Sequence, residues 1–187
     1  MPGKQVVVID ACSALNLLAT GRSVEFLRAL DWSLLVLPEV KHEAHRLRGP
    51  LEEEGQPTWL LADWAPLEQS ALMTLHAPES PSEAFVEAFI SAAENLTDVD
   101  AAAVALAGSL GLPLLSDDNK VRKVFQRLYP ALKLQATLSL IRAASNHLGL
   151  SPEALRDVLD ALRWKARFAP PKQDPLRDWY MEHLRSG

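Results

Sequence analysis

The feature that most constrains the fold is the apolar run Val6-Val7-Val8-Ile9, which ends at Asp10. A continuous β-branched stretch bounded by polar residues is typical of a strand buried on both faces, as in a parallel sheet. Asp10 then stands at the carboxyl end of this strand, the edge at which open α/β sheets bind ligands. We therefore expect other functional side chains to gather around Asp10.

Size and composition favour one folded core. The chain has 187 residues, of which 48% are apolar, enough for one core but not for two large domains. The single cysteine, Cys12, excludes an internal disulfide and suits a reducing compartment. The first residues lack a signal-peptide pattern, and the longest apolar stretch, 101–115, is interrupted by glycine and proline. We expect a soluble cytoplasmic protein with no membrane partner.

The charge is unevenly distributed along the chain. Residues 1–118 hold 18 acidic and 6 basic side chains, whereas residues 119–187 hold 6 acidic and 13 basic ones, for a net charge of −5. A basic half can attract phosphates while an acidic cluster elsewhere holds a metal, so a nucleic-acid partner is compatible with the negative total. Ordinary solvated helix faces explain the same charges equally well.

Short apolar strands alternate with helices along most of the chain. The N-terminal half predicts helices at 11–18 and 23–30, a strand at 33–37, a helix at 38–47 ended by Gly49-Pro50, an exposed loop at 50–58, a short strand at 58–61, a helix at 67–75 and a helix capped by Ser82. The next part predicts a helix capped by Thr97, a strand at 112–115, a helix at 120–129, a strand at 132–135 and a helix at 137–148. This order implies a parallel sheet covered by helices on both faces.

The chain after residue 150 has a different character. Ser151 and Pro152 signal a helix to about Lys165, a proline-containing break follows, and a last short helix is predicted at 175–184. We expect residues 1–150 to form the main domain and residues 151–187 a helical extension packed on it.

Four acidic positions are expected to meet at one edge of the sheet: Asp10, Glu43, Asp100, and Asp117 or Asp118. Carboxylates that converge repel one another unless a cation lies among them. Hard oxygen ligands favour Mg²⁺ or Mn²⁺ over zinc, and such ions activate water and neutralise charge on phosphate. The pattern therefore indicates a metal-dependent phosphodiesterase.

Other readings explain fewer of these residues. His42 and His45 lack the spacing of a zinc-protease motif, Cys12 has no readable histidine partner, and a dehalogenase-like phosphatase would need an aspartate where Cys12 stands. A non-catalytic binding module is the serious alternative, because carboxylates at helix starts, such as Asp100, also act as caps and dipole partners. Glu43 argues against it, since neither role explains a mid-helix acid.

In their order and spacing the motifs resemble the PIN-domain ribonucleases, a family that includes the VapC-type toxins. The resemblance covers roughly residues 5–150 and is carried by Val8-Ile9-Asp10-Ala11 with Leu15-Asn16-Leu17-Leu18, by Leu37-Pro38-Glu39-Val40 leading to Glu43, by Asp100 at the head of an alanine-rich helix, and by Leu114-Leu115-Ser116-Asp117-Asp118.

The resemblance implies a three-layer α/β/α sandwich with a mostly parallel central sheet and a Mg²⁺- or Mn²⁺-dependent endoribonuclease activity. It assigns catalysis and metal binding to Asp10, Glu43, Asp100 and Asp118, with Asp117 as the fallback for the fourth acid. Asn16, Ser13 and Ser116 would line the pocket, although Cys12 stands where the family often has a hydroxyl. Lys120, Arg122 and Lys123 would steer RNA. The resemblance also implies a homodimer and an antitoxin partner that binds the helices after residue 136.

Overall fold

The computed structural model describes residues 4–77 and 80–185 of the chain. Its strands are β1 (Gln5–Ile9), β2 (Trp32–Val36), β3 (Arg46–Leu51), β4 (Pro57–Leu61), β5 (Met73–Leu75), β6 (Leu114–Leu115) and β7 (Leu134–Gln135). Its helices are α1 (Ala11–Ala19), α2 (Ser23–Ala29), α3 (Pro38–Glu43), α4 (Ala65–Gln69), α5 (Glu83–Ala93), α6 (Asp98–Leu110), α7 (Asn119–Leu128), α8 (Thr137–Leu148), α9 (Pro152–Lys165) and α10 (Arg177–Arg185).

A five-stranded parallel sheet in the order β5-β2-β1-β6-β7 forms the centre of the fold. The strand β1 lies in the middle, where Val8 is in register with Leu35 of β2 and Leu114 of β6. Val7, Val8 and Ile9 have no exposed surface. The predicted parallel sheet and the burial of its first strand on both faces are thus confirmed.

Helices flank the sheet on both sides. The connections that lead from β1 to β2 and from β5 back to β6 run in opposite directions across the sheet, so right-handed crossovers place their helices on opposite faces. The observed contacts agree: α6 packs against α5 and α7, whereas α8 packs against α1 and α2. The chain is therefore an α/β protein, and its helix layers are consistent with a three-layer sandwich.

Several predicted helices have the expected starts. The Thr97 hydroxyl caps α6 by accepting from the Asp100 N–H, and Ser82 caps α5 by accepting from the Phe85 N–H. Ser151 caps α9 by accepting from the Ala154 N–H. A side-chain oxygen that accepts from the third residue of a helix satisfies one of the free N–H groups of its first turn.

The helix predicted at 38–47 is wrong in its second half. The helix α3 ends at Glu43, and the chain turns at Ala44, whose carbonyl accepts a 3.0 Å hydrogen bond from Trp64 Nε1. Residues 46–51 then form β3, which pairs antiparallel with β4. Gly49 lies inside β3 and not at a helix end. Glycine is needed there because a Cβ would meet Thr58 Oγ1 at 2.3 Å. The predicted loop at 50–58 is mostly the turn of this hairpin, and the predicted strand at 58–61 belongs to the hairpin and not to the sheet.

The helix predicted at 67–75 is also wrong. The helix α4 ends at Gln69, and Ala71 adopts a positive φ of 54°, a conformation that no α-helix continues. Residues 73–75 are instead β5, the edge strand of the sheet, with Met73 in register with Leu34. A three-residue strand is too short to show an alternating pattern, and Leu67, Ala71 and Leu75, which are four residues apart, mimic helical spacing.

The C-terminal helices pack onto the rest of the chain. The helix α9 contacts α1 and β3, and it buries Leu155, Val158, Leu159 and Leu162 in the common core. The helix α10 packs on α9. Within residues 4–77 and 80–185, no helix is long and apolar enough to cross a membrane.

The close packing of α6 against Tyr129 generates a stability prediction. A Cβ on Gly108 would lie 2.0 Å from Tyr129 Cζ, much closer than two carbon atoms can approach. We expect Gly108→Ala to lower the free energy of unfolding by about 1–3 kcal/mol through overpacking, although alanine normally favours a helix. Urea denaturation followed by circular dichroism measures this change.

The control is the same substitution in a Tyr129→Ala background. With the ring removed, Gly108→Ala should become neutral or stabilising. A Gly108→Ala variant that is more stable than the wild type with Tyr129 in place would contradict the packing described here.

Candidate active site

The sheet contains one crevice suited to a ligand. The chain leaves β1 toward β2 on one side, whereas β6 joins β1 on the other side, so the strand order reverses at the β1–β6 boundary. Open α/β sheets bind ligands at such a point, outside the carboxyl ends of the strands. Asp10 directly follows β1, and Ser116, Asp117 and Asp118 directly follow β6. Two of the predicted site segments therefore meet at this crevice.

Asp10 is a buried carboxylate with one oxygen left over. The residue is only 1% exposed, and its Oδ1 caps α1 by accepting a 2.7 Å hydrogen bond from the Ser13 N–H. Neither Asp10 Oδ2 nor the buried Ser116 Oγ has a hydrogen-bond partner among the described residues. The Ser116 hydroxyl lies near the Asp10 carboxyl and lowers its pKa, although the two groups do not meet in hydrogen-bond geometry.

Burial dominates the electrostatics of Asp10. Desolvation raises the pKa of its carboxyl to about 7, against the lowering effect of Ser116 and Ser13, and the charge of Asp117 raises it further. A buried carboxylate with an unpaired oxygen is destabilising unless a cation or a donor compensates it. Perturbed carboxyl groups in clefts are typical of functional sites. Asp10 is thus the strongest single candidate for a functional residue.

Asp117 lies in a hydrogen-bond network that joins α1, β6 and α8. Its Oδ2 accepts from Asn16 Nδ2 at 2.8 Å, from the Thr137 hydroxyl and, at 3.4 Å, from the Ser13 hydroxyl. Its Oδ1 accepts from the Thr137 N–H at 2.9 Å. Both oxygens are therefore satisfied by protein donors, and the carboxylate holds two helix starts together at the crevice. Ser13 and Asn16, which were expected to line the pocket, contact the Asp117 carboxylate.

Asp118 occupies the start of α7, immediately beyond Asp117. Its Oδ1 accepts from the backbone N–H groups of Lys120 at 2.6 Å and Val121 at 3.0 Å. The residue is exposed, and the cap leaves Oδ2 outside the helix. Of the two adjacent acids, Asp118 is therefore the better placed to bind a ligand, because both carboxylate oxygens of Asp117 already accept hydrogen bonds from protein donors.

The predicted RNA-binding residues differ in their roles. Lys120 and Lys123 are exposed on α7. Arg122 is half-buried, and its Nη1 donates to the carbonyls of Ser116 at 2.8 Å and Gln135 at 3.0 Å. It therefore ties the ends of β6 and β7 together, and this structural use leaves Lys120 and Lys123 as the freer cations.

Asp100 and Glu43 approach the crevice from α6 and α3. Asp100 is half-buried in the first turn of α6, where its Oδ2 accepts a 2.8 Å hydrogen bond from the Thr97 hydroxyl. Glu43 is exposed and is the last residue of α3, so it ends that helix and is not mid-helix as predicted.

The Cys12 side chain shows how these acids are arranged. Desolvation raises the pKa of this thiol to about 12, and the charges of Asp10, Asp100, Asp118 and Glu43 each raise it further. The same four acids that were predicted to converge therefore lie close enough to act on one exposed position of α1. Burial and the four negative charges favour the protonated thiol near neutral pH, which disfavours Cys12 as a nucleophile or a thiolate ligand.

The donor set suits Mg²⁺ or Mn²⁺ in chemistry, since it consists of carboxylate oxygens and includes the unpartnered Asp10 Oδ2. The charges of the four acids all act on Cys12, but the side chains are not gathered closely enough to bind one ion. Across the described ranges, no group of three or more His, Cys, Asp or Glu side chains is close enough to hold a metal ion. Asp100, Asp118 and the exposed Glu43 would have to move toward Asp10 to complete such a site.

Sequence analysis missed two parts of this site. The first is Thr137, whose N–H and hydroxyl both donate to Asp117. In the sequence, its only distinguishing feature is that it is a polar residue shortly after the last strand of the sheet. The second is the C-terminal segment, where Phe168, Gln173 and Asp174 line a cavity of about 120 Å³ together with Asp117 and other residues near the crevice. Neither the spacing nor the composition of that segment pointed to the crevice.

Comparison with known proteins gave no relative. No protein-family model matches the chain, and no curated protein or solved structure matches it. The interpretation of the crevice therefore rests on its own residues.

Burial of Asp10 leads to a prediction for pH. Its folded-state pKa of about 7 lies above the ordinary value of 3.8, so the folded protein favours the protonated carboxyl. The resulting stabilisation is complete below about pH 4 and is lost as the pH rises through 7. Asn retains the Oδ1 cap without the charge, so in metal-free buffer we expect Asp10→Asn to match the wild type near pH 4 and to exceed its unfolding free energy by a few kcal/mol at pH 8.

Urea denaturation at a series of pH values measures the difference between the two proteins. Asp98→Asn, which removes a charge from an exposed position of α6, is the matched control and should follow the wild-type curve. If Asp10→Asn keeps the wild-type dependence on pH, the buried carboxyl does not titrate as described.

Proposed function

We propose that the protein is a metal-dependent endoribonuclease that hydrolyses RNA phosphodiester bonds with Mg²⁺ or Mn²⁺. The observation that carries the proposal is the buried Asp10 carboxylate at the β1–β6 crevice, whose Oδ2 has no partner among the described residues, with Asp100, Asp118 and Glu43 near enough for their charges to act on the adjacent Cys12. The acids come from four separate parts of the chain. A cation bound among them would compensate the negative charge of the buried Asp10 carboxylate. The resemblance of the motifs to PIN-domain ribonucleases supports the same activity.

Each acid has a distinct role in this proposal. Asp10 would bind the metal through Oδ2, the oxygen that its helix cap leaves over. Asp118 would use the oxygen outside its own cap, and Asp100 would join from the first turn of α6. When bound, the metal supplies a lowered pKa for the attacking water and neutralises charge on the phosphate. Glu43, exposed at the end of α3, would bind the metal or orient that water.

The network around Asp117 would position these groups. Thr137, Asn16 and Ser13 fix the Asp117 carboxylate, which immediately precedes Asp118 in the chain. Its negative charge also acts on Asp10, and this raises the benefit of a cation in the crevice. Asp117 would therefore act as a positioning residue and not as a ligand.

The basic residues of α7 favour a polyanionic substrate. Lys120 and Lys123 are exposed on α7 within two helical turns of Asp118. Phosphates that bind to them would therefore lie next to the acids. Contacts of this kind are sequence-independent and weaken with added salt. The preference for RNA over DNA rests on the family resemblance.

A non-catalytic module that binds RNA or protein is the second candidate. It is favoured by the observation that Asp10, Asp100 and Asp118 all take part in helix-start hydrogen bonds, a structural use that needs no metal. The two candidates predict different outcomes when single charges are removed.

The test is cleavage of single-stranded and hairpin RNAs by the purified protein with Mg²⁺ or Mn²⁺. We expect Asp10→Asn and Asp100→Asn to slow cleavage by about a hundredfold or more, because each removes a charge that holds the metal while leaving the helix start able to form. Asp98→Asn is the matched control, two residues from Asp100 on the same turn, and it should change the rate by less than about twofold.

Equal cleavage by the wild type and both site variants would refute the catalytic assignment. Salt-sensitive RNA binding without metal-dependent cleavage of any substrate would support the binding module instead.

A further inference from the structure

A small cavity lies beside the crevice, between the start of α7 and the joining segment, residues 166–176, which connects α9 to α10. Its volume is about 120 Å³, and Asp117 forms part of its wall together with Asn119 and Asp174. Asp117 directly precedes Asp118, one of the four acids of the proposed site. The cavity therefore lies next to the place of the proposed reaction, and the proposed roles of the acids do not use it.

Hydrogen bonds anchor the joining segment to α10. Arg177 Nη1 donates to the Pro170 carbonyl at 2.6 Å, and the Tyr180 hydroxyl donates to the Phe168 carbonyl at 3.3 Å. The rings of Phe168 and Tyr180 also meet edge to face, with their centroids 5.9 Å apart. The cavity is thus largely preformed, as sites for small ligands usually are.

The polar lining of the cavity has unused hydrogen-bonding groups. The side-chain amides of Asn119 and Gln173 are exposed, and neither has a partner among the described residues. Asp174 Oδ1 accepts from the Leu176 N–H at 2.8 Å, and Oδ2 has no donor in the part of the chain that the structure describes. The lining therefore offers a ligand two amides and one carboxylate oxygen.

The charged groups of the lining disfavour an anion inside the cavity. They are the carboxylates of Asp117 and Asp174 and the guanidinium of Arg122. Both oxygens of Asp117 already have protein donors, and Arg122 Nη1 donates to two main-chain carbonyls. A neutral ligand with N–H groups suits this lining better than a phosphate does, because it can donate to Asp174 Oδ2.

Exposed cations stand directly beside two residues of the lining. Lys120 follows Asn119 on α7, and Lys172 precedes Gln173 in the joining segment. The adjacent Asp118 is also exposed, and a bound metal ion would neutralise its charge. The surroundings thus suit a strand whose phosphates bind the lysines while a base enters the cavity.

The size of the cavity limits the ligand to one ring. A protein cavity of about 150 Å³ holds a benzene molecule. A cavity of about 120 Å³ with exposed lining residues therefore admits a single-ring base but not a whole nucleotide. Phe168, Pro171 and Pro175 supply its apolar walls. Unpaired RNA bases are commonly recognised by such contacts together with hydrogen bonds to the base edge.

We propose that this cavity binds an unpaired cytosine of an RNA strand, next to the phosphodiester bond that the acids would cleave. Cytosine is a single-ring base whose exocyclic amino group can donate to Asp174 Oδ2, and the amides of Asn119 and Gln173 suit its ring nitrogen and carbonyl. Uracil has a carbonyl in place of that amino group, and a carbonyl facing a carboxylate is repelled. The inference rests on the proposed function and adds a base preference to it.

The first test is RNA binding in buffer with a metal chelator, so that the strand stays intact. Fluorescence anisotropy compares the affinity of the full-length protein for an oligouridine and for the same strand with one central cytosine. We expect the strand with cytosine to bind about tenfold more tightly, and Gln173→Ala to reduce this ratio to below about threefold.

The second test exchanges the acceptor for a donor. In Asp174→Asn the side-chain oxygen can still accept from the Leu176 N–H, and an NH₂ group takes the place of Oδ2, so the preference should change from cytosine to uracil. Asp178→Asn removes an exposed charge from the first turn of α10, outside the lining, and is the matched control that should keep the wild-type ratio. Circular dichroism confirms that each variant is folded.

Equal affinity for the two strands, binding of neither strand, or a cytosine preference that Asp174→Asn leaves unchanged would overturn the inference. Cytosine-preferring binding without cleavage after Mn²⁺ is added would support the base site and refute only the proposed ribonuclease activity. Metal-dependent cleavage with equal binding of both strands would refute the base site and leave that activity in place.

Discussion

The position of β1 in the middle of the parallel sheet is the constraint on which the rest of the structure depends. The strand is paired on both sides and packed on both faces, so its carboxyl end can project a side chain only into the crevice at the β1–β6 boundary. Asp10 occupies that point and is desolvated by the same packing that fixes the sheet. Burial of the strand and perturbation of the carboxylate are thus two effects of one arrangement.

The neighbouring acids Asp117 and Asp118 have different structural roles. Asp117 is held by donors from α1 and α8, and it keeps the β6 end fixed relative to both helices. Asp118, one residue later, caps the start of α7, and its charge acts on Cys12 together with those of Asp10, Asp100 and Glu43. Adjacent residues after a strand point in different directions, so one carboxylate can support the crevice while the other faces a ligand.

The sequence was sufficient to predict the parallel sheet, because long buried strands and well-capped helices carry strong local signals. Residues 6–9, the Thr97 cap and the helix at 137–148 illustrate this. It was insufficient for the hairpin and for β5, where tertiary contacts override the local pattern: the Trp64 bond to the Ala44 carbonyl marks the end of α3, and the positive φ of Ala71 separates α4 from β5. That Asp10 lies beside Ser116, Asp117 and Asp118 could be predicted, because the ends of neighbouring parallel strands share an edge. The Thr137 and Arg122 contacts could not, because they join segments distant in sequence.

In the proposed site one metal ion would lie among the four acids, with the buried Oδ2 of Asp10 as a ligand. Crystals soaked in Mn²⁺ and measured at a wavelength where manganese scatters anomalously test this site most directly. We expect an anomalous peak within bonding distance of Asp10 Oδ2 and of carboxylate oxygens of Asp100 and Asp118, and loss of that peak in Asp10→Asn. An empty crevice under the same conditions, or a peak that Asp10→Asn leaves unchanged, would contradict it.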